Sequence, residues 1–322
     1  MPVVRVDPSR KIEFEAAISD AAREIIAGHL VAFAAETVYG LGADATSGEA
    51  LARIFERKGR PKINPLIVHF PDLAASSRHV TFNRQAEMLA TAFWPGGLTL
   101  VLPKRPGSDI HDLASAGLPS LAIRVPSHPV AHALLLASEV PVAAPSANRS
   151  GEPSPTCASH VADSIGSDDI TILDAGPSAQ GLESTIIGFD GDKPILLRHG
   201  AISRSEIEAV VGPLPLVAAE HNMPLSPGRL LRHYAPKARI RLNADYPESG
   251  ELFLGFGRFP QGVDGLQLSA AGSTREAAAN LFALLREADH RGALRLAVAP
   301  IPNEGLGEAI NDRLTRAAAA QE

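Results

Sequence analysis

Apolar and polar positions alternate in blocks along the first two thirds of the chain, and the blocks predict helices and strands in turn. A helix is predicted over 12–28, ending at Gly28, and a short apolar run at 31–35 predicts a buried strand. A second helix is predicted over 48–58, before Gly59 and Pro61. Further strands are predicted at 65–70, 97–103, 120–126, 141–147, 170–175, 184–189 and 194–200, with helices at 82–93, 129–138 and 155–165.

The stretch from 170 to 200 carries three predicted strands with no helix between them. Such an order implies some antiparallel pairing, so a mixed-sheet α/β domain is predicted rather than a regular parallel one. A helix over 203–211 closes this domain, and Ser203 with Glu206 fits a capping box at its start.

The composition changes after residue 212. Residues 212–236 carry five prolines, which predicts an extended linker. Beyond it, strands at 251–257 and 293–301 alternate with helices at 274–288 and 306–320, and Ser273 with Glu276 fits another capping box. We therefore divide the chain into a first domain at 1–212, a linker at 213–238 and a smaller Rossmann-like α/β domain at 239–322.

Composition and charge narrow the classes of function. The 322 residues are 45% hydrophobic, enough for a core, and the net charge of -6 argues against a general duplex-binding protein. The only cysteine, Cys157, excludes an intramolecular disulfide. The start of the chain lacks the apolar core of a signal peptide, and charged and proline residues interrupt the apolar stretch 129–147. A cytoplasmic protein without a membrane span is expected.

Two neighbouring segments carry candidate chemistry. The segment 34–45 leads into Gly40 and Gly42, where the backbone can turn tightly and lie close to a ligand. The next segment ends a helix with four cations in six positions: Arg57, Lys58, Arg60 and Lys62. Cations on a loop broken by glycine and proline suit a phosphate chain, but a solvated helix C-terminus favours cations as well. The spacing leaves both interpretations open.

Later segments add polar groups at the ends of apolar runs. Trp94 either packs under a base or belongs to a turn into the strand that follows. Arg124 interrupts an apolar strand and must pair with an internal carboxylate or with a substrate carboxylate. The loop 142–156 is rich in Ser, Asn, Gly and Pro, which suits hydroxyl and amide donors to a ligand.

These segments, taken in order, resemble the YrdC/Sua5 family. The matching blocks are ETVYGLGADA, KGRPKINPLIVHF, WPGGLTLVL, AIRVPSHP, APSANRSGEPSPT, ESTII and LLRHGAIS, and SPGRLLRHYAPKA (226–238) is similar to the linker of the two-domain branch. One departure is Ala34-Ala35, where the family usually has Pro-Thr. The resemblance implies a YrdC-like mixed twisted sheet followed by a Rossmann-like domain.

The resemblance also implies an activity. Family members form L-threonylcarbamoyl-adenylate and pyrophosphate from L-threonine, bicarbonate or CO2, and ATP, for the t6A modification of tRNA. It therefore implies a nucleotidyltransferase that uses Mg²⁺ with ATP and no organic cofactor. A downstream tRNA threonylcarbamoyl transferase would take the adenylate, and a weak contact with RNA is left open.

By motif position the resemblance implies roles for individual residues. Lys58 with Arg60, and Ser146 with Asn148, are similar to the KxR and SxN pairs of the family and are expected around the reacting groups. Positions expected to contact threonine are Thr37, His69, Arg124, Ala144 through its backbone, and Ser184. Positions expected to contact ATP are Arg60, Asn64, Ser120, Ser146, Ser154, Arg198, Arg232 and Tyr234. Metal ligands stay unassigned.

The linker suggests a further role. No acidic residue lies between Glu220 and Asp245, whereas cations and Tyr234 do. Because cations and an aromatic ring would suit a cover over a triphosphate, we hypothesise a lid on the ATP cavity, with Arg232, His233 and Tyr234 nearest the nucleotide.

Two alternatives stay open from the sequence. Hydrogenase-maturation carbamoyltransferases share the KxR and SxN pairs, but they carry Cys-rich finger modules, which one cysteine excludes here. An RNA-binding module without catalysis is the alternative from another class, and the net negative charge argues against it.

Overall fold

A computed structural model describes residues 3–215 and 234–320. The first part contains β1 (Val3–Arg5), α1 (Lys11–Ile26), β2 (Val31–Phe33), β3 (Gly40–Asp44), α2 (Gly48–Lys58), β4 (Ile67–His69), α3 (Leu73–Ser76), α4 (Arg84–Phe93), β5 (Leu98–Pro103), α5 (Asp112–Ser115), β6 (Ser120–Arg124), α6 (Pro129–Ser138), β7 (Val142–Ala143), α7 (Ala158–Ile165), β8 (Thr171–Asp174), β9 (Thr185–Asp190), β10 (Lys193–Arg198) and α8 (Arg204–Val211). The second contains β11 (Arg239–Arg241), β12 (Leu252–Phe256), β13 (Gly265–Ser269), α9 (Thr274–His290), β14 (Arg295–Val298) and α10 (Leu306–Ala319).

The first part forms a ten-stranded sheet in the order β1-β8-β2-β3-β7-β4-β6-β5-β9-β10. The predicted mixed sheet is confirmed, because β8 runs parallel to β1 and β2 whereas β9 and β10 form an antiparallel hairpin. Of the three strands predicted between 170 and 200, only the last two pair with each other. β8 lies far from them, at the other end of the sheet.

Alternating side chains give the sheet two different faces. Leu51 and Ile54 of α2, Leu89 of α4 and Val161 of α7 belong to the largest buried cluster. Residues two positions apart along one strand share a face of the sheet. Ile67, Ala122, Ile186 and Leu197 form a small separate apolar cluster across β4, β6, β9 and β10. His69, Arg124 and Ser184 therefore lie on the same face as that cluster, each two positions away from one of its members.

The second part forms a four-stranded parallel sheet in the order β11-β14-β12-β13. Helices α9 and α10 supply Leu281, Phe282 and Ile310 to its buried cluster. The same cluster includes Val38 and Leu182 of the first part, so the two cores meet. The predicted second α/β unit with its two helices is confirmed.

The segment around Gly40 and Gly42 differs from the prediction. These glycines do not make a tight turn; they lie within β3, which pairs antiparallel with β2. A Cβ on Gly42 would lie 2.8 Å from the Phe33 ring and 3.0 Å from Val142. Glycine is required at residue 42 by packing between neighbouring strands, and at Gly40 the strand still lines the cavity described below.

The two predicted capping boxes have different outcomes. At α8 both hydrogen bonds of the Ser203–Glu206 box are present. At α9 the Ser273 hydroxyl accepts from the Glu276 backbone, but the Glu276 carboxylate accepts from Ser269 instead. The second box is therefore only half formed, because Ser269 at the end of β13 binds both Glu276 and the Ser273 N–H. Among the residues described, no helix is long and apolar enough to cross a membrane.

Candidate active site

A cavity of about 630 Å³ of empty space, open solvent included, lies on the face of the sheet that carries the small apolar cluster. Its walls come from the ends of β4, β6 and β10 and from the loops after β2 and β7. Of the predicted site positions, it brings together Thr37, Arg60, His69, Arg124, Ala144, Ser146, Ser184, Arg198 and Tyr234.

Arg124 is held on the cavity wall by the first part itself. Its guanidinium donates to an oxygen of Glu36, to the Thr37 hydroxyl (2.9 Å) and to the Gly96 carbonyl (3.0 Å). The Arg124 charge and its hydrogen bond outweigh the effect of burial on Glu36 and lower the pKa of that carboxyl. An internal carboxylate therefore pairs with Arg124. Arginine has five N–H donors, so donors are left on Arg124 for a ligand carboxylate.

His69 and Ser184 lie on the same face beside Arg124. Burial, reinforced by Arg124, lowers the pKa of His69 to about 3, so the ring is neutral at pH 7. Its Nδ1 is buried without a hydrogen-bond partner in the described part of the chain. The Ser184 hydroxyl lies 2.7 Å from the Thr99 hydroxyl. The backbone N–H of Ala144 donates to the Ile67 carbonyl, so it is already used within the sheet.

Lys58 and Arg60 are the buried end of the cationic segment. Gly59 ends α2 in the left-handed region with φ 59°, which turns Arg60 into the protein. The Lys58 ammonium donates to the carbonyls of Ser146 and Asn148, and Arg60 donates to the carbonyls of Asn64 and Pro65. Within the described residues neither cation forms an ion pair with a carboxylate.

The electrostatic state of these two cations follows from burial. Lys58 is 3% exposed and Arg60 is 8% exposed. Burial, followed by the neighbouring Arg60, lowers the pKa of Lys58 well below its ordinary value. Burial and Arg198 lower the pKa of Arg60 to about 10. A bound anion would relieve both effects, because an opposite charge stabilises the protonated form. Arg57 and Lys62 differ: Arg57 pairs with Asp169, and Lys62 is exposed.

Asn148 and Asn64 are buried with unsatisfied polar atoms. The Asn148 amide donates to the carbonyls of Arg149 and Glu152, which leaves its Oδ1 without a partner in the described structure. Both side-chain polar atoms of Asn64, Nδ2 and Oδ1, are also buried without a hydrogen-bond partner in the described structure. Buried polar atoms nearly always have a partner, so these atoms are candidates to meet a ligand.

Another part of the cavity wall is built around the buried carboxylate of Glu183. One oxygen accepts from the Ser154 hydroxyl at 2.5 Å, and the other accepts from Arg313 Nε at 3.0 Å. Burial would raise the pKa of Glu183, but Arg313 and Arg198 outweigh it and keep the pKa lowered. Arg198 donates to the carbonyl of Ser184 at 2.9 Å and to its hydroxyl at 3.1 Å.

Tyr234 is the first residue described after the gap at 216–233. Its side chain is 1% exposed, and its ring stacks on Phe282 of α9 at 5.5 Å between centroids. The Arg313 guanidinium lies over the ring, 5.0 Å from its centroid. Two side chains of the second part therefore hold an aromatic ring on the cavity wall. Arg232 and His233, the other residues predicted for the lid, lie outside the described residues.

Five of the predicted positions that the structure describes are not among the residues lining the cavity: Lys58, Asn64, Ser120, Asn148 and Ser154. Lys58 lines a separate depression together with Arg57 and Arg149. Ser120 begins β6 whereas Arg124 ends it, and Ser120 lines a different, more apolar depression together with Phe82 and Phe189. It shares the face of Arg124 by strand periodicity, but it does not line the cavity described here. The Trp94 indole donates to the Leu98 carbonyl at 2.7 Å and meets Phe82 edge to face. This supports the interpretation of Trp94 as part of the turn into β5.

Three residues of this region have no predicted role: Glu36, Glu183 and Arg313. The acidic residues stand inside blocks that carry the resemblance, beside Thr37 and Ser184, so a charged residue in an apolar run was an available signal. Arg313 gave no such signal. It lies in an amphipathic terminal helix, where an arginine is ordinarily exposed.

The fold and the cavity define a class of protein. It is a two-domain α/β protein with a small-molecule site, buried cations, and buried amide oxygens that have no hydrogen-bond partner in the described structure. A family model described as "Telomere recombination", for the Sua5, YciO and YrdC proteins, matches residues 23–200. A second, described as "Threonylcarbamoyl-AMP synthase, C-terminal domain", matches 202–319. The chain belongs to the two-domain branch of this YrdC/Sua5 family.

Relatives cover the chain almost from end to end. Threonylcarbamoyl-AMP synthase of Bacillus subtilis is 38% identical over 94% of this chain and 92% of its own length. The protein of the same name from Pyrococcus abyssi is 40% identical over 90% of each. The crystal structure of P. abyssi Sua5 complexed with L-threonine aligns with a TM-score of 0.90 at 36% identity, covering 100% of this chain and 98% of that one.

Proposed function

We propose that this chain is an L-threonylcarbamoyladenylate synthase, which makes threonylcarbamoyl-AMP and pyrophosphate from L-threonine, bicarbonate or CO2, and ATP. The observation that carries the proposal is the pair of buried cations, Lys58 and Arg60, which meet backbone carbonyls but no carboxylate in the described structure. A polyanion such as a triphosphate satisfies such cations. Relatives named for this activity match both parts of the chain.

The reaction has two parts. The threonine amine first bonds to the carbon of CO2 and loses a proton, or it bonds to the carbon of bicarbonate and water leaves. Either route gives an N-carboxylate. An oxygen of that carboxylate then attacks the ATP α-phosphorus, and the bond between that phosphorus and the bridging oxygen to the β-phosphate breaks. Pyrophosphate leaves with the electron pair. No protein nucleophile is required, so the residues act by positioning and by charge stabilisation.

Threonine is assigned to the end of the cavity at Arg124. The N–H donors of Arg124 that stay available beside Glu36 and Thr37 would hold the carboxylate. His69 is neutral and has a free Nδ1, and with Ser184 it offers hydrogen bonds to the hydroxyl or the amine. The Glu36 partner keeps the guanidinium in place before substrate binds.

The phosphates are assigned to Lys58, Arg60 and Arg198, with Ser146 and Asn148 beside them. Each cation is at most 8% exposed, so its attraction for a phosphate is weakly screened by salt. Charge that develops on the β-phosphate as pyrophosphate leaves would be stabilised without any rearrangement of the wall.

Mg²⁺ would enter with ATP. Glu183, which lines the cavity, and Glu36, which holds Arg124, both pair with arginines. Phosphate oxygens and waters would therefore supply most ligands, as is usual for this ion. Asn148 Oδ1 is a neutral oxygen with no hydrogen-bond partner in the described structure, so it would suit a position near the metal or a phosphate. The bound ion would neutralise phosphate charge.

A pyrophosphate-release assay tests the proposal. Purified full-length protein with Mg²⁺ should release pyrophosphate from ATP only when both threonine and bicarbonate are present. Mass spectrometry should detect threonylcarbamoyl-AMP in the same mixture. Release that is independent of threonine, or a product other than the adenylate, would rule out this assignment.

Substrate choice gives a sharper test of the threonine end. A site that hydrogen-bonds a hydroxyl leaves its own polar groups unpaired when an analogue lacks that hydroxyl, and discriminates strongly. Serine loses only one methyl group, worth about 1–3 kcal/mol. We expect threonine to exceed serine in kcat/KM by a moderate factor and valine to give almost no release. Equal use of valine would contradict the assigned contacts.

A further inference from the structure

The wall of the nucleotide end of the cavity depends on a side chain from the second part of the protein. Arg313 lies in α10 and is fully buried, with 0% of its surface exposed. It donates through Nε to Glu183 at 3.0 Å and through Nη2 to the His199 carbonyl at 2.8 Å. Its guanidinium also covers the Tyr234 ring at 5.0 Å. One side chain thus reaches three points on the wall.

Each of these points adjoins a residue assigned to ATP. Glu183 accepts from the hydroxyl of Ser154 at 2.5 Å. His199 directly follows Arg198, and Tyr234 is itself part of the cavity wall. A buried carboxylate without its partner would attract the next cation within reach, because an unpaired buried charge is costly. For Glu183 that cation is Arg198, whose charge already acts on it.

We propose that Arg313 is a positioning residue for ATP: it neutralises Glu183 and holds Tyr234, so that Arg198 and Ser154 keep the places at which the nucleotide would meet them. The inference rests on the proposed function, because it takes the ligand at this end of the cavity to be ATP. It gives the second part of the chain a share in the site without any contact with the reacting atoms.

The test uses full-length variants. Arg313→Met removes the charge while keeping an extended side chain, and Glu183→Gln removes the carboxylate that Arg313 neutralises. The double variant removes both charges together. Glu308→Gln is the matched control. Glu308 lies in the same helix and meets His199 of the first part at 3.5 Å, but in the described structure it forms no hydrogen bond or ion pair with Glu183 or Tyr234.

We expect Arg313→Met to raise the KM for ATP at least about tenfold, the order associated with losing one charge-assisted contact. The KM for threonine should change by less than about threefold, because Arg313 forms no hydrogen bond with Arg124 or His69 in the described structure. The double variant should bind ATP better than Arg313→Met alone, since residue 183 is then neutral and Asp312, the other carboxylate that pairs with Arg313, keeps its ion pair with Arg316. Glu308→Gln should stay near the parent in both constants.

Rescue by the second substitution separates positioning from mere support of the fold. If Arg313 only packs the two parts together, Glu183→Gln cannot restore ATP affinity, and the two losses will multiply. That result, or a folded Arg313→Met protein with an unchanged KM for ATP, overturns the proposal. Thermal unfolding of each variant shows whether it is folded.

Direct binding keeps this proposal separate from the proposed function. Calorimetry with a non-hydrolysable ATP analogue measures nucleotide affinity without turnover. If the parent binds the analogue but releases no pyrophosphate with threonine and bicarbonate, the proposed function fails, while the loss and rescue of affinity still test Arg313. If the parent binds no analogue at all, both proposals fail.

Discussion

At the scale of single residues, the site is defined by how buried charges are paired. Arg124 and Arg313 each have a carboxylate partner inside the protein, Glu36 and Glu183 respectively. Lys58 and Arg60 meet backbone carbonyls instead. A buried cation is costly without a counter-charge. This difference therefore separates arginines that are already neutralised within the protein from cations whose charge a ligand would neutralise.

Replacing Arg60 tests this distinction. We expect Arg60→Ala to lower pyrophosphate release at least about tenfold, since a hydrogen bond to a charged group contributes about 1.5–3 kcal/mol. The variant should fold, because Arg60 has no carboxylate partner among the described residues and removal of such a buried cation relieves a desolvation cost. Initial rates at saturating and at low ATP measure the effect.

Lys62→Ala is the matched control for Arg60→Ala. Lys62 lies on the same loop and carries the same charge, but its side chain is exposed. Its loss should leave the rate within about twofold, as expected for a screened surface charge. Equal losses for the two variants would show that the loop acts by its overall charge rather than through Arg60.

The site positions could be predicted through the resemblance because they lie in short blocks of characteristic residues, and their roles as ligand contacts stay predictions. The cavity brings together nine of them. Pairing could not be found in the same way. Nothing in the sequence shows that Glu183 and Arg313, 130 positions apart, share a hydrogen bond, because that contact depends on how the second part packs on the first. The linker positions Arg232 and His233 stay predictions.

At the scale of elements, three short strands lead into one side of the cavity. β3 lies between β2 and β7, and all three are only two to five residues long. Long helices such as α2 and α6 were predicted with their bounds, because capping residues and apolar periodicity mark them. The short strands β1, β11 and β13 were not predicted, since so few residues show little periodicity.

Close packing between these strands predicts the effect of Gly42→Ala. Gly42 has ordinary strand dihedrals, so any cost is steric: the new Cβ would lie 2.8 Å from Phe33 and 3.0 Å from Val142. We expect the variant to lose about 1–3 kcal/mol of unfolding free energy, the usual cost of overpacking. Urea denaturation monitored by circular dichroism gives the value.

A second substitution checks that cause. Phe33→Leu removes the ring that the new methyl group would meet, so Gly42→Ala should cost less in a Phe33→Leu background than in the parent. If the cost is the same in both backgrounds, the ring is not what requires glycine at this position.

At the scale of the whole molecule, the two parts fold onto each other at close range. Gly181 has φ 68°, and a Cβ there would lie 2.5 Å from the backbone of Ala278 and Ala279 in α9. Arg286 of the same helix donates to the Pro153 carbonyl. The contact is therefore made by backbone against backbone as well as by side chains.

Gly181→Ala should disturb this contact. The substitution combines a left-handed backbone, which alanine disfavours, with a collision against a helix backbone that cannot move aside. We expect it to lose about 1–3 kcal/mol more unfolding free energy than a glycine change with only the backbone cost. Adenylate formation should fall as well, because α9 and α10 hold Tyr234.

Gly191→Ala supplies that reference. Gly191 lies in the turn between β9 and β10 with φ 57°, and nothing lies within 4 Å of its added Cβ. It therefore carries the left-handed penalty without a collision. Comparison of the unfolding midpoints of the two variants isolates the cost of the collision with α9. Equal midpoints would show that the interface tolerates the extra atom.

The buried cations also bear on how a catalytic cycle ends. Lys58, Arg60 and Arg198 are all buried, so none of these side chains is free to swing aside once the chemistry is complete. The attraction that assembles the substrates persists toward whichever product keeps more negative charge. Pyrophosphate carries more than the adenylate. Pyrophosphate should therefore be the tighter product inhibitor, and its hydrolysis in solution should pull the reaction forward.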